Sequence, residues 1–218
     1  MNKVFEFLFH GSLIKALHFN FHYFGFKGLF KPRFVIARNV KFGKLKGSIS
    51  CPNKLAIVNL GFFKNKGYPL AKGNTFFSNE GSLIVKKHLC LGYGSSFSIE
   101  SNAKAEIGDC TIGCFSQIFI VKELLIGDQV MISWNVQIMD TDTHKILDSE
   151  HNVINSPKEI RIGDNSWLCS RSIVLKNASI MKNCILASNS FISKPVEKDN
   201  CIIANNKVVK ENICWVKK

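Results

Sequence analysis

Asp140, Asp142 and His144 alternate along the stretch Met139-Asp-Thr-Asp-Thr-His-Lys145. In an extended segment, residues two apart share a face, so two carboxylates and an imidazole point the same way. The chemistry this permits is general base catalysis. An imidazole that is neutral near pH 7 takes a proton from an attacking hydroxyl, and a carboxylate beside it holds the tautomer and stabilises the imidazolium. The same three side chains are possible metal ligands. Hard cations usually take more oxygen donors and zinc more His or Cys, so no metal is expected here.

The element that positions this stretch is a repeat of six residues. From Ile162 the aliphatic positions run Ile162, Leu168, Val174, Ile180, Leu186 and Ile192, and four residues after each come Ser166, Ser172, Ala178, Cys184, Ser190 and Val196. Neither a helix nor a lone strand keeps an apolar position every six residues for so long, whereas a solenoid coil does. Three hexads make a triangular turn of eighteen residues, and stacked turns bury a core that no single hexad can bury. Asn165, Asn177, Asn183 and Asn189 fall three residues after an aliphatic position, where each flat side must turn a corner, and Asn tolerates the left-handed conformation a corner needs. Earlier, Ile112, Ile118, Ile126, Ile132 and Ile138 keep the same beat, broken at Val121–Leu125. Leu91, Phe97 and Ala103 carry it back, so the coils are expected to begin near residue 80.

This gives three segments: a cap over 1–80, a solenoid over 81–200 with an inserted loop at 139–159, and a tail over 201–218. The cap is predicted to hold an amphipathic helix over Val4–Leu17, followed by alternating residues over Leu17–Phe26. Residues 1–90 hold fifteen Lys and Arg against Glu6 and Glu80, so the net charge of +13 belongs to that part, together with fourteen of the eighteen phenylalanines. A basic, Phe-rich segment suits either a packed cap with a solvated basic face or peripheral contact with an anionic membrane. Nucleic-acid binding is disfavoured because no recognition helix or aromatic-basic module stands out. The apolar runs near the start are too interrupted for a membrane span and lack the order of a secretory signal, and eight scattered cysteines read as reduced thiols, so a cytoplasmic location is expected.

Ile126-Gly-Asp-Gln-Val-Met-Ile-Ser-Trp-Asn-Val-Gln-Ile-Met-Asp-Thr-Asp-Thr-His144, followed by Ile162-Gly-Asp-Asn-Ser-Trp167, resembles the hexapeptide-repeat O-acetyltransferases of bacterial surface polysaccharides over roughly residues 84–210. The resemblance implies an all-β, left-handed parallel β-helix, a homotrimer, and acetyl-CoA as co-substrate in a groove between subunits. The acceptor would be a sugar or polysaccharide precursor. By the same resemblance His144 is the catalytic base and transfer is direct, without an acyl-enzyme; the alternation offers Asp142 as the carboxylate behind it. Trp167 lines the acetyl-CoA groove, and Ser170, Ser188, Ser193 and Lys194 match cofactor positions of galactoside-type acetyltransferases. Trp134, Asn135 and Asp140 fall on the acceptor side. A backbone N–H of the coil beside Trp167 would be the oxyanion donor.

Two departures stand out. Ala204-Asn-Asn-Lys-Val-Val-Lys210 lacks the family's proline, and Leu168-Cys169 replaces its usual Ile-Gly after the tryptophan. The alternatives are an amino-sugar N-acetyltransferase, a γ-type carbonic anhydrase using His88, His144 and His151, and a β-helix scaffold without catalysis.

Overall fold

The computed structural model describes residues 10–62 and 73–216. The chain winds as a left-handed parallel β-helix, a triangular prism with three faces. The first face stacks Glu123–Ile126, Ile160–Ile162, Ser179–Ile180 and Pro195–Val196. The second stacks Val130–Ile132, Trp167–Leu168, Ile185–Leu186 and Ile202–Ala204. The third stacks Thr75–Asn79, Ser96–Ile99, Gln117–Ile120, Gln137–Met139, Ile173–Leu175 and Phe191–Ile192. Every coil hangs from the next by backbone N–H groups donating to carbonyls above: Gly113 to Ile132 at 2.8 Å, Ser133 to Leu168 at 2.8 Å, Cys169 to Leu186 at 2.9 Å.

The six-residue beat fills the interior as expected. Ile162, Leu168, Val174, Ile180, Leu186 and Ile192 are all buried. Each buried aliphatic side chain contributes about 1.5–3 kcal/mol over its exposed state, which offsets the cost of ordering the chain. The small inward residues knit the coils together, since the Ser116 hydroxyl donates to the Ser133 carbonyl at 3.1 Å and accepts from Val136 N–H at 3.2 Å. Asn165, Asn177, Asn183 and Asn189 all have positive φ, between 50° and 69°. At one corner they also form a ladder, in which the Asn165 amide donates to Asn183 Oδ1 and the Asn183 amide to Asn200 Oδ1, each at 2.9 Å.

The coils begin earlier than the sequence pattern indicates. Parallel stacking already joins Phe34–Ile36 to Ile57–Leu60, Val40–Phe42 to Thr75–Asn79, and Ser48–Ser50 to Ser82–Leu91. These turns are longer. Phe34 stacks on Val58 and Leu60 on Leu91, twenty-four and thirty-one residues apart, whereas Leu168 stacks on Leu186, eighteen apart. A strict period of six therefore does not register them. The segment after residue 200 likewise joins the solenoid through Ile202–Ala204, and Lys207–Lys210 folds back antiparallel on it to close the end.

A helix, α1 (Leu13–Phe30), covers the opposite end, in place of the predicted alternation over Leu17–Phe26. The start of the predicted Val4–Leu17 helix lies outside the described residues. Ser12 caps α1, and Gly25 breaks its regularity with φ 58°. Ala16, Phe19 and Asn20 form its buried stripe, with the Phe19 ring 4.7 Å from Phe34 and 5.0 Å from Phe42. Asn20 fastens the helix to the first strand: its amide donates to the Phe34 carbonyl, and its Oδ1 accepts from the N–H groups of Arg33 and Phe34.

Candidate functional site

The loop at 139–159 leaves the prism at the corner between the third face and the first. Its departure removes the coil that would otherwise take up the N–H groups of the turn beneath. Asp140 replaces it. The carboxylate is fully buried and accepts from Val121, Lys122 and Glu123 N–H at 2.7–2.9 Å. Burial pushes the Asp140 carboxyl up, and these backbone donors pull against that shift. Asp140 is thus a buried support of the loop's root, not an acceptor-side residue, and it does not share a face with His144. The break in the beat at Val121–Leu125 and the buried Asp140 belong to one feature.

Asp142 is exposed, and its Oδ2 takes the Lys176 ammonium and the Asn155 amide, the latter at 2.8 Å. The Lys176 ammonium, with Asn155, holds the Asp142 carboxyl below the usual carboxylate range. It ties the loop back to the solenoid and makes no bond to the imidazole. The loop is closed on itself by Asn155, whose amide also donates to the His144 carbonyl at 2.8 Å, and by His144 N–H donating to the Asp142 carbonyl at 2.7 Å. The His144 side chain is exposed and makes no hydrogen bond to another described residue. Its imidazole is free to meet a substrate.

Trp167 lies half-buried on the second face. Its Nε1 donates to Ser133 Oγ at 2.9 Å, which sets the plane of the indole. The ring walls a depression of about 270 Å³ together with Trp134, Met131, Thr111 and Cys114. Gly92 and Gly113 let adjacent coils close up beneath it, since a Cβ at Gly113 would meet the Ser133 backbone at 2.6 Å. On its other side Trp167 meets Trp215, ring centroids 5.7 Å apart, and Trp215 Nε1 donates to the Asn165 carbonyl at 2.7 Å. Neither Ser133 nor Trp215 is legible as a site residue from the sequence, because coil stacking brings the first, and the path of the tail the second, from distant segments onto Trp167.

The remaining predicted residues divide between two edges of the prism. Trp134, Ser170 and Ser188 stack on the corner between the second and third faces, as Arg171 N–H donates to the Trp134 carbonyl and Asn189 N–H to the Ser170 carbonyl. Asn135 is the left-handed residue of that corner, φ 55°, with Arg171 and Asn189 above it. Ser193 and Lys194 follow Phe191–Ile192 at the other corner, the one from which the His144 loop departs. Ser193 is engaged by Asn206, which accepts from its N–H at 2.7 Å and donates to its hydroxyl at 3.1 Å. Lys194 is exposed.

Two chemical points follow. Burial pushes the thiols of Cys114 and Cys169 up, so neither offers a thiolate for a covalent intermediate at neutral pH. The N–H groups of Trp167 and Cys169 are spent on the carbonyls of Cys184 and Leu186, so neither is available as an oxyanion donor. Among the described residues no three His, Cys, Asp or Glu side chains converge as metal ligands would.

No family model matches the chain. It is 26% identical over 194 residues to an uncharacterized 24.8 kDa protein in the cps region of Klebsiella pneumoniae, a match that covers 87% of this chain and 84% of that one. Among solved structures it is similar to the polySia-specific acetyltransferase NeuO, with a TM-score of 0.55 at 19% identity, covering 85% of this chain and 79% of NeuO. It is also similar to the polysialic acid O-acetyltransferase OatWY, with a TM-score of 0.53 at 22% identity, covering 83% and 89%. The chain therefore shares the left-handed parallel β-helix fold of these two structures.

Proposed function

We propose that this protein is an acetyltransferase that moves the acetyl group of acetyl-CoA to a hydroxyl of a sugar or polysaccharide precursor. The observation that carries the reading is the exposed, unencumbered imidazole of His144 on a loop thrown from an otherwise regular solenoid whose second face holds an indole-walled depression at Trp167. His144 takes the acceptor's proton as the hydroxyl attacks the thioester carbonyl, the C–O bond forms, the C–S bond breaks, and the CoA thiolate leaves and takes up a proton. A positioned base of this kind is worth about 10²- to 10⁴-fold in rate. The raised thiols of Cys114 and Cys169 favour this direct transfer over a two-step route.

His144 and Trp167 do not form one site within a chain, because the corner bearing the loop is the one opposite the second face. The site we propose is shared between protomers of a trimer. The third face supports this: its outward positions include Phe76, Phe119, Met139, Ile173, Leu175 and Phe191, and from Thr75 to Ile192 its strands carry no charged side chain. With that face turned to a threefold axis, the corner carrying His144, Ser193 and Lys194 of one protomer meets the corner carrying Trp134, Ser170 and Ser188 of the next. Acetyl-CoA would lie in the groove so formed.

The test is transfer from acetyl-CoA to a panel of acceptors that includes polysialic acid and amino sugars, followed by release of the free CoA thiol. Acceptor-dependent release that falls by about 10²-fold or more in His144→Ala supports the proposal. Release that is unchanged in that variant contradicts it.

A further inference from the structure

The N-terminal end of the prism leaves apolar side chains in solvent. On α1, Ile14 is 82% exposed, Leu13 61%, Phe21 45% and Leu17 42%, along one stripe at helical spacing. Beyond the break at Gly25, Phe26 turns back so that its ring lies 5.4 Å from Phe21, extending the stripe, and Phe30 is 84% exposed. The inward residues Ala16, Phe19 and Asn20 already hold the helix to the coils. The outer stripe is not needed for that purpose.

The segment that carries this stripe is charged with one sign. Residues 10–62 contain nine Lys and Arg and no Asp or Glu. Two adjoining depressions, about 450 Å³ and about 260 Å³, lie beside the end of α1 and share Lys31 and Arg33. Lys54 and the exposed Leu55 line the larger, and Lys27 and Phe24 the smaller. The Arg33 guanidinium is anchored by the Lys54 and Ala56 carbonyls, which accept from it, so it is held in place while keeping its charge. Among the described residues no helix is long and apolar enough to cross a membrane.

We propose that this end of the protein docks on an anionic lipid bilayer, with Ile14, Leu17, Phe21 and Phe26 entering the interface and Lys27, Lys31, Arg33 and Lys54 receiving lipid phosphates. An exposed apolar stripe on a helix flanked by cations is the arrangement that combines burial among acyl chains with attraction to a negative surface. Charge complementarity selects the occupant. A second copy of this chain would bring Lys27, Lys31, Arg33 and Lys54 against the same four cations and meet repulsion there.

The experiment is sedimentation of the full chain with vesicles of phosphatidylcholine alone or mixed with phosphatidylglycerol. Two variants are compared: Ile14→Ser/Phe21→Ser/Phe26→Ser and Lys27→Glu/Lys31→Glu/Lys54→Glu, all at surface positions, with thermal melts to show that each stays folded. The expected result is binding to the mixed vesicles that weakens with added salt and falls by about tenfold or more in either variant. Three results would overturn the proposal. One is no binding of the wild type to the mixed vesicles. Another is equal binding to both vesicle types, insensitive to the charge reversals. The third is a loss of self-association in the apolar variant with vesicle binding intact, which would give the stripe to a second copy.

Discussion

Trp215, three residues before Lys218, lays its ring against Trp167, and the two indoles reach in different directions: Trp167 to Ser133 Oγ and Trp215 to the Asn165 carbonyl. The tail thereby props the ring that walls the depression. Trp215→Ala should lower stability by about 1–3 kcal/mol, less than a Trp→Ala change inside the coils, because Trp215, though buried, packs outside the interior cluster. It should also weaken acetyl-CoA binding, since Trp167 loses the surface behind it. Thermal melting and calorimetry on the same preparation check both. Unchanged binding with lowered stability would leave the tail a purely structural clasp.

The corner ladder allows a test of why asparagine is used there. Asn183 sits at φ 57° and bonds through its side chain to both neighbours. Asn183→Gly keeps the left-handed backbone and loses the two bonds, whereas Asn183→Ala loses both the bonds and the tolerated conformation. Alanine should therefore cost about 1 kcal/mol more than glycine, the reverse of their order in a helix. Equal melting temperatures for the two variants would show that the backbone conformation carries no weight.

The loop should respond to acid in a defined direction. Lys176 and Asn155 depress the Asp142 carboxyl, so its anchoring contribution is present above the ordinary carboxylate value and is lost as pH falls through the lower folded value. Amide chemical shifts of residues 140–159 should report a transition below the normal aspartate range. In Lys176→Met its midpoint should rise toward the ordinary aspartate range. A midpoint unaffected by that change would mean Lys176 does not hold the loop.

Shared sites predict complementation. His144→Ala and Trp167→Ala should each be nearly inactive alone, yet mixed trimers formed by co-expression should regain about a quarter of wild-type activity, because one random interface in four pairs an intact His144 with an intact Trp167. No recovery would place both residues in one chain's site.

Much of this was readable in the residues. The interval from Ile162 to Ile192 announces the coil because its turns are eighteen residues long, and the corner asparagines follow from the same geometry. The coils before residue 80 escape a fixed beat because their turns, twenty-four residues from Phe34 to Val58 and thirty-one from Leu60 to Leu91, are much longer than eighteen. The helix Leu13–Phe30 reads as an alternation at Leu17–Phe26 because phenylalanine occupies both its buried and its exposed faces, which blurs the period. Asp140 looked chemical beside His144, and its burial depends on which N–H groups the departing loop uncovers, something no local pattern records. That Asp142 pairs with Lys176, thirty-four residues on, is likewise a product of the coil's closure.

The most direct test of the central claim is calorimetric titration of the protein with acetyl-CoA, with EDTA present, beside Trp167→Ala and His144→Ala. Saturable binding that Trp167→Ala weakens and His144→Ala leaves largely intact is the predicted result. Absence of binding at millimolar acetyl-CoA would contradict the account and leave the β-helix a scaffold.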